Sequence, residues 1–154
     1  MEIKELKKRP SIDENEKLLN SYIQFDRLLT ELKIKELSDE IISSINNGID
    51  QINLSSDSEK ELKKQIRKSQ SDIIKMLEKE LKLVTKNHYR NIWLALGMAA
   101  FGIPLGLIFG TSLGNMGFIG IGLPIGMGIG IAVGSSMDKK AFEEGRQLDL
   151  EIKY

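Results

Sequence analysis

Residues 91–137 form a stretch of 47 positions without a single Asp, Glu, Lys or Arg. The rest of the 154-residue chain is strongly charged, and residues 1–90 carry 35 of its 44 charged side chains. One membrane-crossing helix needs about 20 apolar residues, so the charge-free stretch is long enough for two. The sequence therefore predicts an all-α protein in which a cytoplasmic helical or coiled-coil bundle is followed by a two-helix transmembrane hairpin.

The charge-free stretch contains two apolar runs, 91–113 and 116–137, joined by a short link. A run of 22 residues forms a helix of roughly 33 Å, close to the ~30 Å hydrocarbon core of a bilayer. The link is long enough only for a tight turn, which predicts an antiparallel hairpin. The segments that complete the chain are a charged N-terminal segment (1–10), a cytoplasmic bundle or stalk (11–90) and a charged cytoplasmic tail (138–154).

The flanks of the predicted hairpin are basic, whereas its turn carries no charge. The positive-inside rule then predicts that both termini are cytoplasmic and that the protein lies in the inner (cytoplasmic) membrane. No secretory signal or lipoprotein-type cysteine is visible, which agrees with a cytoplasmic N-terminal region. The residues expected at the membrane interface are Tyr89, Arg90, Trp93, Lys139 and Lys140.

Glycine recurs every fourth residue in both apolar runs. The first series is Gly102, Gly106, Gly110 and Gly114, and the second is Gly122, Gly126, Gly130 and Gly134. Small residues on one helix face let two helices approach closely in lipid, where apolar side chains gain nothing by leaving the bilayer. These eight glycines are therefore the predicted helix-packing and oligomerisation residues.

The two runs also repeat each other at an offset of 20 residues, and the repeat includes one proline in each run. Pro104 and Pro124 are equally distant from position 114, so a hairpin centred there places them at similar depth. Each proline removes one helical hydrogen bond and favours a kink. The pair therefore predicts a bend or a weak point at one level of the hairpin.

Three interpretations of the glycine pattern stay open. The glycines can simply pack the two helices together, or they can also pack neighbouring copies into an oligomer. Gly120 and Gly128 lie off the main series, so a second helix face is small, which favours oligomerisation. A pore is less favoured because no charged or strongly polar ring lines either helix. A soluble, shielded form that inserts later is the third interpretation.

The region before the hairpin is expected to be helical nearly throughout, with apolar residues at helical spacing. Ser38 is a predicted N-cap. The third helix has no helix breaker before the apolar stretch, so the sequence allows it to continue into the first crossing. Residues 10–59 have a net charge of −7 and residues 60–90 a net charge of +6. The basic segment can face anionic lipid, pair with the acidic helices, or simply be a solvated helix face. The region is either a spacer or a bundle that binds a cytoplasmic protein partner.

The sequence lacks the residues that most site chemistry needs. It has no cysteine, one histidine and no phosphate-binding loop, so we expect no enzyme, no catalytic residue, no cofactor and no metal site. Nucleic-acid binding is not expected either, because the basic segment has no interleaved aromatic residues.

The paired GxxxG series resembles that of bacterial glycine-zipper proteins, a loose group of small two-helix membrane proteins, over residues 97–137. The resemblance implies membrane association and self-assembly. We therefore expect a membrane-anchored homo-oligomer that acts as a scaffold or partner-binding module. The alternative is a membrane-permeabilising effector or channel, such as a toxin or defence pore, that is gated by its cytoplasmic helices.

Overall fold

The computed structural model describes residues 1–9, 12, 15–56 and 58–152. These residues contain no strand and six α-helices, which are α1 (Glu16–Lys33), α2 (Asp39–Asn53), α3 (Glu59–Leu81), α4 (His88–Gly97), α5 (Ile103–Ser112) and α6 (Ile119–Glu143). The predicted all-helical class is confirmed. The chain divides into two units, one formed by Met1–Leu83 with Leu148–Ile152 and the other by Val84–Gln147.

The first unit is a three-helix bundle in which α3 packs against both α1 and α2. Ser38 is the N-cap of α2, as predicted, and its side chain accepts a hydrogen bond from the backbone N–H of Ile41. Apolar side chains at helical spacing face one another and make the core. The largest of them that are fully buried are Leu18, Phe25, Leu28, Leu32, Ile45, Ile49, Leu62, Ile66 and Leu77.

The N-terminal segment is part of this unit, because two asparagines of α2 bind its backbone. The Asn46 side chain accepts the N–H of Lys4 (2.8 Å) and donates to the carbonyl of Glu2 (2.9 Å). Asn53 makes the same two bonds three residues further along the segment. Each side-chain amide thus acts as a backbone peptide would in a sheet, and Leu6 is buried between these two anchor points.

The end of the chain belongs partly to the same bundle. Leu148 and Leu150 are buried in its core and Ile152 packs against it. Phe142, in the last turn of α6, is 69% exposed.

The prediction that the third helix can continue into the first crossing is wrong. Helix α3 ends at Leu81 because Lys82 adopts the left-handed conformation (φ 56°). A second left-handed residue, Asn87 (φ 60°), precedes α4. Two left-handed residues within six positions interrupt the helical hydrogen-bond ladder.

The second unit is a helical hairpin. Helix α4, a π-helical turn (Met98–Gly102) and α5 make one continuous arm of 25 residues, and a 3₁₀ turn (Met116–Phe118) with α6 makes the other, of 28 residues. Helix α6 packs against α4, the π turn and α5. Both arms are long and apolar enough to cross a membrane, with lengths of about 38 and 42 Å. The two predicted apolar helices are therefore present, each extended at its charged end.

Candidate functional site

The contact surface of α6 in the hairpin is made of glycine. Gly122, Gly126, Gly130 and Gly134 are buried, while the large apolar side chains between them are exposed, apart from the half-buried Ile131. A spacing of four residues keeps them on one helix face. The four glycines of the second predicted series therefore lie where the sequence placed them, between the two arms.

The two arms touch through their backbones. A Cβ added to Gly126 would lie 2.5 Å from both the carbonyl oxygen of Gly97 and the amide nitrogen of Gly102. A Cβ on Gly134 would lie 2.6 Å from the carbonyl oxygen of Tyr89. Non-bonded carbon atoms pack best at 3.5–4.0 Å, so even a methyl group does not fit at these positions.

The opposite arm contributes Gly97, Gly102, Gly106 and Gly110, which are all buried. Gly97 was missed by the sequence analysis because it precedes Gly102 by five residues, and five residues of α-helix rotate a side chain off the contact face. The π turn corrects this: the Ile103 N–H donates to the Met98 carbonyl, five residues back. The wider turn brings Gly97 onto the same face as the other three.

The structure differs from the prediction at Gly114, which does not take part in the packing. Gly114 lies beyond α5 with φ +64°, and an added Cβ would meet no atom within 4 Å. Its N–H donates to the Thr111 carbonyl (3.3 Å), and the Asn115 N–H donates to the Gly110 carbonyl (3.0 Å). This pair of bonds is the Schellman helix end, in which glycine supplies the left-handed residue.

A buried carboxylate joins the open ends of the two arms. Asp138 follows Gly134 by four residues, so it continues the α6 contact face, and it is buried. Its two oxygens accept the backbone N–H groups of Tyr89 (3.0 Å) and Arg90 (2.9 Å) in the first turn of α4. A negative charge at a helix N-terminus satisfies amides that have no helical partner and favours the helix dipole.

Further backbone contacts close the hairpin around Asp138. The Val84 N–H donates to the Arg146 carbonyl (2.9 Å), and Val84 and Gln147 form an isolated parallel bridge. The side chain of Gln147 donates to the Asp138 carbonyl (3.3 Å). We call this region, residues 84–90 with 138–147, the hairpin base.

The hairpin base also carries an exposed ion pair. The Arg146 guanidinium donates to the Glu144 carboxylate, with a distance of 2.7 Å from Nε. This hydrogen bond lowers the pKa of Glu144 from its ordinary value and raises the pKa of Arg146.

The five residues predicted for the membrane interface gather near this base. Tyr89 and Arg90 bind Asp138 through their backbones, and Trp93 is half-buried one turn further along α4. Lys139 and Lys140 are exposed, and each forms an ion pair one helical turn further along the chain, with Glu143 (3.8 Å) and Glu144 (3.9 Å) respectively.

Helix α6 has a second small face, opposite the first. Gly120, Pro124, Gly128, Ala132 and Ser136 recur every four residues, and all are exposed. Their offset of two residues from the buried glycines corresponds to about 200° around the helix, so the two faces stay opposite along its length. A Cβ on Gly120 or Gly128 would meet no atom within 4 Å. We call this surface the outward small face.

The two prolines lie near each other along the hairpin. Gly122 packs between Gly102 and Gly106, and that stretch contains Pro104. Pro124 is two residues, or about 3 Å, further along α6. Since proline has no N–H, Pro124 leaves the Gly120 carbonyl without its α-helical donor. Pro104 is the second residue of α5, just after the π turn, so the helical ladder is altered in both arms near this level.

No family model, no curated protein and no solved structure matches this chain. Within the described residues, no group of three or more His, Asp or Glu side chains is arranged to hold a metal ion.

Proposed function

We propose that this protein is a membrane-anchored helical protein that assembles with copies of itself, and that the assembly is a scaffold or partner-binding module. The observation that carries the proposal is the burial pattern of the hairpin. In an 18-residue apolar window of each arm only 17% of the residues are buried, and Ile103, Ile108 and Leu107 are each at least half exposed. Contact of such an apolar surface with the lipid chains of a bilayer carries no free-energy cost, whereas its contact with water is unfavourable. The proposal assigns no catalytic activity.

The outward small face supports self-assembly. The eight inward glycines are fully used by the contact between the two arms, so they are not available to another copy. Gly120 and Gly128 are available, and their spacing continues through Pro124, Ala132 and Ser136. Close approach of a second helix requires such a face, because association in lipid depends on backbone contact.

Gly120 belongs to this same face, and its carbonyl lacks the α-helical donor that position 124 would otherwise supply. At membrane depth an unsatisfied backbone group costs several kcal/mol. A neighbouring copy can supply a donor or exclude the lipid from this carbonyl. Pro124 thus favours the same contact between copies, because that contact would satisfy or shield the Gly120 carbonyl.

Cross-linking through single cysteines tests the proposed interface, since the natural chain has no cysteine. We expect Gly128→Cys to give disulfide-linked dimers in membranes. Leu96→Cys is the matched control: Leu96 is 49% exposed on the other arm, at the level of Gly128, because Gly97 packs against Gly130. Equal cross-linking at both positions would show that the contact is not specific to the outward small face.

Bulky substitution provides a second test. Gly120→Leu with Gly128→Leu is expected to dissociate the detergent-stable oligomer while the hairpin stays closed. Substitution of Gly106 and Gly126 is a less direct test, because both lie between the arms and larger side chains there open the hairpin itself. An oligomer that survives the Gly120/Gly128 pair of substitutions sinks the proposed interface.

A second candidate function is permeabilisation of the membrane, as by a toxin or defence pore. The observation that favours it is the altered backbone at the level of Pro104 and Pro124, where Ala99 and Ala100 of the π turn are exposed. Non-helical backbone at membrane depth is tolerated where protein covers it or where it lines a water-filled cavity. Release of an entrapped dye from liposomes is expected for a pore, and tight liposomes at high protein loading argue for the scaffold. Gating by the cytoplasmic helices stays part of this second proposal.

We further propose that the protein lies in the inner (cytoplasmic) membrane with both termini in the cytoplasm. The support is the cluster of basic residues at the hairpin base and the uncharged turn at the other end. Cysteines placed at Ser43 and at Asn115 distinguish the orientations with a membrane-impermeant thiol reagent on intact spheroplasts. Labelling at Asn115 alone is expected, and labelling at Ser43 alone would reverse the orientation. The proposed kinship with glycine-zipper proteins rests on the same hairpin.

A further inference from the structure

Helix α3 carries a stripe of positive charge along one face. Within 16 residues it has six cations, and its carboxylates in that span are Glu61 and Asp72. At 100° per residue, the six cations project within an arc of about 140°, and both carboxylates fall outside that arc. We call this surface the basic stripe, and its residues are Lys60, Lys63, Lys64, Arg67, Lys68 and Lys75.

The bundle holds the basic stripe away from its core. The opposite face of α3 contains Leu62, Ile66, Ile73 and Leu77, which are all buried. This packing fixes the rotation of the helix, so the cations cannot turn inward without exposing the core. Five of the six, all except Lys63, are in the most exposed class of residue in the chain.

The acidic helices of the same unit do not neutralise the stripe. Within the described part of the chain, none of the six cations forms an ion pair with a carboxylate. Instead, a further cation of α1 adds to the patch. The pKa of Lys63 is lowered from its ordinary value, first by partial desolvation and then by the positive charges of Arg67 and Lys17. The cations thus repel one another, and Glu61 and Asp72 lie on the same helix without forming an ion pair with them, so an external anion would relieve the repulsion.

We propose that the basic stripe is a docking surface for the headgroups of anionic lipids. This rests on the proposed function, because the argument for a lipid partner is the tether to the hairpin. Helix α3 ends at Leu81 and α4 begins at His88, so the connection can span at most about 25 Å. A bundle tethered so closely to a bilayer meets its headgroups at high effective concentration. Each Lys or Arg near an anionic surface contributes about a fivefold preference.

Other anionic partners fit less well. Helix α3 contains no aromatic residue, so the stripe offers no stacking platform for the bases of single-stranded nucleic acid. An acidic protein would bind the charges equally well but would not benefit from the tether.

The test uses the full chain in nanodiscs, with one cysteine at Ser71, which lies within the arc of the stripe. A fluorophore on that cysteine is quenched by spin-labelled headgroups when the stripe meets the bilayer. We expect stronger quenching in discs that contain phosphatidylglycerol than in discs of phosphatidylcholine alone, and loss of the difference at high salt. A label at Ser43, exposed on α2, is the positional control.

A charge variant makes the test specific. Lys64→Gln, Arg67→Gln and Lys68→Gln together should lower, by about a hundredfold, the ratio of bundles docked on the bilayer to bundles free of it. Lys7→Gln, Lys8→Gln and Lys33→Gln remove the same charge from exposed positions outside the stripe and should leave the ratio unchanged. Equal effects of the two triple variants would reduce the stripe to a net-charge effect and overturn the proposal.

Two further outcomes separate this proposal from the function on which it rests. Protein that incorporates into discs but shows no dependence on phosphatidylglycerol overturns the headgroup site and leaves the membrane anchor intact. Extraction of the protein from membranes by alkali would overturn the proposed membrane anchor. Co-sedimentation of the extracted protein with phosphatidylglycerol vesicles would then test the proposal for the basic stripe by itself. Binding of a labelled oligonucleotide or an acidic peptide, with no lipid dependence, would assign the stripe to that partner instead.

Discussion

The two units of this protein pack their helices by opposite rules. In the three-helix bundle, large side chains such as Phe25 and Ile45 are fully buried and the charged side chains lie at the surface. In the hairpin, large side chains such as Ile103 and Leu113 are exposed, and the buried positions between residues 97 and 134 are all glycines. The bundle is stabilised by removing apolar surface from water. The contact between the arms of the hairpin buries little side-chain surface and depends instead on the close approach of the two backbones.

This difference teaches that the same change of size has opposite consequences in the two units. In the bundle, a smaller side chain leaves a cavity. In the hairpin, a larger side chain forces two backbones apart, and backbone cannot move aside as a side chain can. Substitutions in both directions therefore test the comparison directly.

The largest effect is expected for Gly126→Leu. Its added Cβ alone would lie 2.5 Å from backbone atoms of Gly97 and Gly102, so we expect the arms to separate in nearly all molecules. The cost exceeds about 3 kcal/mol, the upper end for overpacking against movable side chains. Spin labels on cysteines at Leu96 and Met127, in spin-diluted samples, report the separation of the arms.

The matched control for this prediction is Gly128→Leu. The same bulk is added two residues away, where a Cβ meets no atom within 4 Å, so the distance between the labels should not change. A narrow, unchanged distance in both variants would mean that the glycine contact does not hold the hairpin together.

Phe25→Ala is expected to have the next largest effect, in the bundle. Phe25 is fully buried (0% exposed), so the cavity should lower the free energy of unfolding of the bundle by about 3–5 kcal/mol. Ile23→Ala, on the same helix but 41% exposed, should cost less than about 1 kcal/mol. Urea unfolding of the protein in micelles, followed by circular dichroism, measures both. Similar costs at the two positions would contradict the assignment of Phe25 to the core.

The sequence predicts the general organisation well because both packing rules leave a pattern. Apolar residues at helical spacing indicate the bundle, and Ser38 before two acidic residues marks the start of α2. The uncharged stretch and the four-residue glycine spacing indicate the hairpin and its contact face on α6.

Features that depend on a left-handed residue or a local change of helix type were not predictable in the same way. Lys82 carries no signal of the break between α3 and α4, and Asn87 carries only a weak one, because asparagine tolerates the left-handed conformation better than most residues. Gly97 falls outside the four-residue series until the π turn is known, and Gly114 fits the series although it ends the helix. Asp138 did carry a signal, since it continues the α6 series after Gly134.

Asp138→Asn should have a smaller effect that is confined to the hairpin base. The amide loses the negative charge at the N-terminus of α4 and brings a donor towards the N–H groups of Tyr89 and Arg90. We expect a loss of about 1–2 kcal/mol and roughly tenfold faster hydrogen exchange at those two amides. Glu143→Gln, exposed on the same helix, is the control and should leave their exchange unchanged. Unchanged exchange in Asp138→Asn would show that the carboxylate is not a cap.

The smallest effects should appear at opposite ends of the pH scale in the two units. In the hairpin base, the hydrogen bond from Arg146 lowers the pKa of Glu144 from 4.5. The contribution of this contact to stability is therefore present above pH 4.5 and is lost as the pH falls through the lower pKa of the folded state. In the bundle, the hydrogen bond to Asp39 raises the pKa of the Met1 amine from 8.0. The contribution of this contact to stability is therefore present below pH 8.0 and is lost as the pH rises through the higher pKa of the folded state. Amide exchange should therefore increase in acid near residue 146 and in alkali near residue 2, beyond the intrinsic pH dependence of exchange. Because all four groups are exposed, both changes should be small and should fade at high salt, and loss of both contacts at the same end of the scale would contradict the assigned partners.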